Sequence, residues 1–575
     1  MTSWWGSKSK FRRRDIDPED IFLDATNRAG LDPMRLEGRI ERPVSRMTIA
    51  AVGGTFGLAM LVFAGQAINL QIVHGSTYAD ISRNNHIDRS VIFAPRGVIY
   101  DRTGTELAWN SVASSTEVFA ERVYINRPGF AHILGFVRYP KADARGEWWR
   151  EEYIGVSGVE GIFDDVLAGE NGDVLAETNA QGAFVREDIV DPPVEGDPVY
   201  LSIDADVQAE LARILQAHAR NTGFVGGAAA IMDVHTGELL ALTSFPEYDQ
   251  TAFSRGDASK VQAANSDPST PLLNRAVSGL YTPGSIVKPI FAAAALNENI
   301  IDPSKRIFSA GSISIPNPYN PSQPSIFRDW KAHGWTDMRR ALAVSSDVYF
   351  YAIGGGFEDQ RGLGIERIDD YARRFGLGEL TGFIFGGEAA GVIPTPEWKE
   401  EVFDGDPWRL GDTYNTAIGQ YGFQITPLQA VRFAAAIANG GYLVTPQIEK
   451  DALPDRSSIG ISDAHLQVVR DGMRAAVTDG GTAAALNIAG IDIAGKTGTA
   501  QVGMRNQYMN SWVIGFWPAS SQDGPASAQG GSAKAPKYAF AVVLERAPAG
   551  TLSGAAPAMS QFFYWLRDNK PEYVE

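Results

Sequence analysis

Residues 279–296 read GLYTPGSIVKPIFAAAAL. The Pro283-Gly284 turn followed by an apolar run predicts a helix that begins near Ser285 and is buried along its length. Ser285 and Lys288 then share one face, one turn apart. A serine hydroxyl is a poor nucleophile until a base takes its proton, and a buried lysine gives up its charge readily enough to be that base. At a helix start, free backbone N–H groups and the positive dipole end suit a developing oxyanion. The pair alone decides nothing, because Ser7 and Lys10 repeat the spacing in a polar tail.

The chain has 575 residues, 44% hydrophobic and 21% charged, which predicts folded protein in more than one domain. A net charge of -17 argues against a nucleic-acid binder. The absence of cysteine excludes disulfides, thiolate metal sites and cysteine nucleophiles. From Met47 to Tyr78 no charged residue occurs, and residues 47–68 are apolar enough to span a membrane. A cleaved signal peptide would start nearer the N-terminus. Arg39, Arg42 and Arg46 precede the segment, with Arg12, Arg13 and Arg14 further out. The positive-inside rule therefore predicts a single-pass anchor with a cytoplasmic tail (1–46) and an external remainder.

The external part divides by pattern into a mixed α/β segment (69–193) and a C-terminal domain (194–575). In the latter, GGAAAIMDVHTGELLALTSFP (226–246) reads as a hairpin turning at His235-Thr236-Gly237. IDIAGKTGTAQV, NSWVIGFWP and KYAFAVVLER read as three antiparallel strands, and APAMSQFFYWLRDN as a helix on that sheet. Helices lie between. The expected class is α+β, an antiparallel sheet flanked by helices. SSQDGPASAQGGSAKAP (520–536) reads as a low-complexity loop.

AVSSDVYFY places Ser345, Ser346 and Asp347 downstream of the first pair, and GKTGTAQ places Lys496, Thr497, Gly498 and Thr499 on a predicted strand. Ser-x-x-Lys, Ser-x-Asn and Lys-Thr-Gly in that order form the signature of penicillin-binding proteins and active-site-serine β-lactamases. With APRGVIYDRTGTELA, GVSGVEGIFDDVLAGENG, FRDWKAHG and IGQYGFQITPLQ, the chain resembles the class B penicillin-binding proteins from about residue 40 to its end, most closely the elongation-specific branch. The resemblance implies a pedestal over 69–193 and a transpeptidase domain over 194–575. It implies a D,D-transpeptidase that cross-links peptidoglycan stem peptides ending in D-Ala-D-Ala and is acylated by β-lactams.

By that resemblance Ser285 is the nucleophile and Lys288 its base. Ser345 relays a proton to the leaving amine, Lys496 polarises that network and Asp347 orients Lys288. Thr497, Gly498 and Thr499 bind substrate, the two threonine hydroxyls holding its terminal carboxylate, and the N–H groups of Ser285 and Thr499 form the oxyanion hole. The family works beside a polytopic membrane glycosyltransferase, so a scaffolding role stands as an alternative. So does a β-lactamase or carboxypeptidase of the same fold. Asp347 replaces the usual Asn, and an anion there favours the ammonium form of Lys288. Some relatives bind zinc near FRDWKAHG with a Cys among the ligands. With no Cys, His333 reads as structural, and neither metal nor cofactor is expected. Gln420 and Gly422 are expected to shape the active-site wall.

Overall fold

The computed structural model describes residues 45–84, 86–111, 118–178, 184–317, 320, 322–519 and 535–574. Arg12, Arg13, Arg14, Arg39, Arg42 and residues 520–534 of the low-complexity loop lie outside them. Backbone packing divides the chain into two units, residues 1–88 with 176–187, and 89–175 with 188–575. In the first unit a helix, Arg46–Ile68, contains the apolar stretch expected at 47–68 and is exposed along its length. Ser45 caps it, its hydroxyl accepting from the Thr48 N–H at 3.1 Å. Its 23 residues rise about 35 Å, enough to cross a bilayer core.

The second unit begins with short strands. Ile99–Tyr100, Glu106–Asn110 and Arg122–Tyr124 form a sheet with Val199–Tyr200, which joins parallel to Ile99–Tyr100. Asp101 ties the turn between the first two strands by accepting from the Thr103 and Thr105 N–H groups at 2.8 Å each. Its other oxygen accepts from the Ala205 N–H at 2.9 Å, at the start of helix Ala205–Thr222. Arg96 and Arg122, the latter from the third of these strands, both pair with Glu160, at 2.6 and 2.7 Å, with all three side chains fully buried.

The C-terminal domain is built on a five-stranded antiparallel sheet in the order Leu239–Phe245, Gly226–Asp233, Tyr538–Pro548, Tyr508–Trp517, Ala494–Val502. Its central strands read as nearly continuous apolar runs because both faces are covered. Alternate residues divide between two cores. Ala229, Ile231, Val513, Val542 and Leu544 face helices Ala205–Thr222 and Ala555–Asn569. Ala228, Ala230, Trp512, Ile514 and Val543 share a core with helices Lys288–Asn297 and Pro427–Ala438. Lys288–Asn297 is buried from Lys288 to Leu296, as a helix apolar on all sides must be. The strand Ala494–Val502 is left as one sheet edge.

Replacing Glu160 by Ala leaves two buried guanidinium groups without their shared anion. The expected cost is about 3–5 kcal/mol. It should be read as faster amide hydrogen exchange across residues 96–167, with the five-stranded sheet unaffected.

Candidate active site

Ser285 sits on a short 3₁₀ turn, Gly284–Val287, and Lys288 opens the α-helix that follows. The serine is half-buried and the lysine fully buried. The helix expected to start near Ser285 therefore starts one turn later. The tighter turn follows Pro283 and opens on Gly284, with Pro289 at the first positions of the helix proper.

Helix Met338–Val344 ends at Ser345, whose backbone is left-handed (φ 58°, ψ 41°). A new helix, Asp347–Gly355, starts two residues later, capped by the Ser346 hydroxyl. This reversal turns the Ser345 and Asp347 side chains toward Lys288. Lys288 Nζ donates to Asp347 Oδ1 at 2.5 Å, to the Ser345 carbonyl at 2.9 Å and to Ser345 Oγ at 3.4 Å. Those are three acceptors, as many as an ammonium has protons. None of the described hydrogen bonds joins Lys288 to Ser285.

From the sheet edge Lys496 Nζ donates to Ser345 Oγ at 2.7 Å and to the Thr497 carbonyl at 2.8 Å. Two acceptors match a neutral amine. Complete burial drives the Lys496 pKa well below its ordinary value, helped by the nearby Lys288 charge and opposed by Asp347. The two lysines thus meet at one serine hydroxyl, with one carboxylate, Asp347, bonded to Lys288.

Close backbone approach brings the third motif in. A Cβ on Gly498 would lie 2.7 Å from the Pro283 carbonyl oxygen, so only glycine lets the edge strand reach the Ser285 turn. Trp512, opposite Gly498 in register, donates its indole N–H to the Thr282 carbonyl at 3.0 Å and fastens the same turn. Thr499 is exposed and Thr497 Oγ1 donates to Thr482 Oγ1 at 2.7 Å. The edge strand has a neighbour on one side only. It therefore turns part of its backbone polar groups toward the cleft, as a template for an extended peptide.

The cleft measures about 470 Å³ and is lined by Ser285, Ser345, Asp347, Thr497, Gly498 and Thr499, together with residues the motifs do not mark. Trp330 and Leu552, 60% and 100% exposed, put large apolar groups on it. Thr482 and the helix start at Gly554–Pro557 also line it. Leu552 lies in a stretch with no sequence pattern of its own, whereas Ala556 and Pro557 open the helix that APAMSQFFYWLRDN predicts. Trp330, in FRDWKAHG, carried a family resemblance but no role. Gln420 and Gly422 do not line this cleft. The wall contact comes instead from Gly419, whose carbonyl accepts from the Gly284 N–H at 2.9 Å. His333 stands 3.5 Å from Asp329, and burial lowers its pKa.

Residues 227–564 match the family described as the penicillin binding protein transpeptidase domain. The chain belongs to this family. Residues 113–201 match the penicillin-binding protein dimerisation domain. The chain is 30% identical over 494 residues to the peptidoglycan D,D-transpeptidase MrdA of Haemophilus influenzae, covering 79% of this chain and 70% of that one. Among solved structures it is similar to Pseudomonas aeruginosa PBP2 in complex with WCK 5153. The identity is 30% and the TM-score 0.65, covering 85% of this chain and 100% of that one. A chain of a peptidoglycan synthase complex that coordinates polymerization and crosslinking matches at 26% identity and TM-score 0.68, covering 91% and 98%. In this penicillin-binding protein the α+β class, the antiparallel sheet and the preceding mixed domain agree with the sequence reading.

A Cβ on Gly419, where φ is +75°, would lie 2.2 Å from the Gly284 carbonyl oxygen. Backbone faces backbone there, so Gly419→Ala must displace the Ser285 turn. Covalent labelling by a fluorescent penicillin should slow on the order of tenfold or more, with the far-ultraviolet circular dichroism unchanged.

Proposed function

We propose that this chain is a membrane-anchored peptidoglycan D,D-transpeptidase of cell-wall elongation, working through an acyl-enzyme on Ser285. The observation that carries the reading is the convergence of Lys288 and Lys496 on the Ser345 hydroxyl beside that serine, on a sheet edge able to pair an extended stem peptide.

In this reading the bond between Ser345 and Lys496 reverses, so that the Ser345 hydroxyl donates to the lone pair of neutral Lys496, and a proton passes from Lys288 to Ser345 Oγ while the Ser345 proton passes to Lys496. Lys288 is left with a free lone pair and Lys496 carries the charge. Ser285 Oγ attacks the carbonyl carbon of the penultimate D-Ala as Lys288 takes its proton. The oxyanion lies against the N–H groups of Ser285 and Thr499. The C–N bond breaks, and the departing D-Ala amine receives a proton through Ser345. An amine of a second stem then attacks the ester and Ser285 regains its hydrogen. Thr497, Gly498 and Thr499 receive the terminal carboxylate, and Asp347 keeps Lys288 aimed. No cofactor takes part. The run of arginines ahead of the apolar helix supports a cytoplasmic N-terminus and an external catalytic domain.

Mass spectrometry after penicillin treatment tests the site. The adduct should lie on Ser285, be absent in Ser285→Ala, and persist for many minutes. An adduct elsewhere sinks the assignment, and hydrolysis within seconds favours a β-lactamase. Lys496 must stay neutral, and lowering the pH toward its depressed pKa charges it. The labelling rate should therefore fall on the acid side. Lys496→Arg, charged at every pH, should lose on the order of a hundredfold or more.

The likeness to a chain of a peptidoglycan synthase complex supports a polytopic glycosyltransferase partner, contacted through residues 1–193. A purified partner polymerase should run faster with the full chain than with residues 194–575 alone. Equal rates would remove this role.

A further inference from the structure

Asp329 is a buried carboxylate that the proposed reaction does not use. Its side chain has no solvent exposure. Among the described residues no lysine or arginine pairs with it, and burial lowers the pKa of His333, which stands 3.5 Å away. Donors take the place of a cation. The Trp330 N–H donates to Oδ1 at 2.8 Å. Ser346 Oγ, the Val348 N–H and Ser309 Oγ donate to Oδ2 at 2.8, 3.0 and 3.3 Å. A zinc ion of the kind some relatives hold does not fit these residues. No three His, Cys, Asp or Glu side chains gather among the described residues, and Oδ2 is surrounded by donors.

The donors are informative by their place. Ser346 and Val348 alternate with Ser345 and Asp347, the two residues that reach Lys288. Ser345 holds a left-handed backbone that a serine seldom adopts, so the turn needs external anchors. Ser346 Oγ passes the restraint on by accepting from the Tyr349 N–H at 3.4 Å, in the first turn of the next helix. On its other oxygen Asp329 fixes the backbone of Trp330, whose indole N–H donates to the Val344 carbonyl at 3.2 Å on the far side of the same turn. One carboxylate thus ties the Ser345–Asp347 turn and the aromatic side chain lining the cleft to a single point.

We propose that Asp329 is a positioning residue, holding Ser345 and Asp347 in register with Lys288 and Lys496 by hydrogen bonds. The proposal rests on the transpeptidase reading. Its test uses the full chain in detergent, with a fluorescent penicillin and the acylation step separated from non-covalent binding. Asp329→Ala should slow the acylation step on the order of tenfold to a hundredfold, with the binding constant little changed. Ser346→Ala should slow it about fivefold. The double variant should be no slower than Asp329→Ala alone, because both remove one path. Asp329→Asn should recover part of the rate, since an amide oxygen can still accept from Ser346 and Val348. Losses that multiply in the double variant would overturn the proposal. So would Asp329→Ala at the wild-type acylation rate, or a stoichiometric zinc whose chelation slows wild-type labelling. If Asp329→Ala does not fold, Ser346→Ala and Asp329→Asn decide, and wild-type rates in both overturn it. A wild-type chain never labelled at Ser285 would instead sink the transpeptidase reading.

Discussion

Lys288 and Lys496 place two amines in one water-poor cavity with a single carboxylate, Asp347, against them. Burying one ammonium is tolerable when an anion meets it, and a second without its own anion is not. The two amines are therefore expected to share one positive charge, and the serine hydroxyl between them is the natural route for moving it. The left-handed Ser345, the helix break before Asp347 and the sheet edge that delivers Lys496 are all means of bringing these groups together. The close Lys288–Asp347 contact also bears on the question the sequence raised. It holds the amine in place, and in the proposed mechanism transfer toward Lys496 frees its lone pair.

Three separate chain segments must meet within a few ångströms, which demands backbone-to-backbone packing. Gly498 lets the edge strand lie on the Ser285 turn, and Gly419 lets a second loop bond to it. Trp512 pins the turn from inside the sheet. Behind them the sheet is covered on both faces, so the edge strand has a rigid base. Rigidity of this kind fixes reacting groups before substrate arrives, which is where much of the advantage of an active site lies.

Buried polar clusters outside the cleft work on the same terms. Glu160 is shared by Arg96 and Arg122, and Asp329 by four N–H and O–H donors. In each, one carboxylate joins segments far apart in sequence, and its removal would strand several partners at once. The first stabilises the sheet ahead of the catalytic domain. The second anchors the Ser345–Asp347 turn.

Much of this was legible in the sequence because local chemistry carries it. Apolar runs bounded by turn residues marked the strands and the buried helix. An uncharged stretch of about membrane length marked the apolar helix. The three motifs, in order, pointed to the family. Tertiary structure alone decided which partners those residues keep. The spacing of Ser285 and Lys288 suggested a direct pair, yet Lys288 turns to Ser345 and Asp347, because the 3₁₀ turn and the left-handed Ser345 reset the directions of the side chains. Trp330 and Gly419 lay in stretches that marked the family without giving either a role, and Leu552 and the bonds of Asp329 left no pattern to read, since each acts through contacts with segments distant along the chain. Periodicity and motif spacing record a residue's neighbours along one element. They do not record what packing brings across from another.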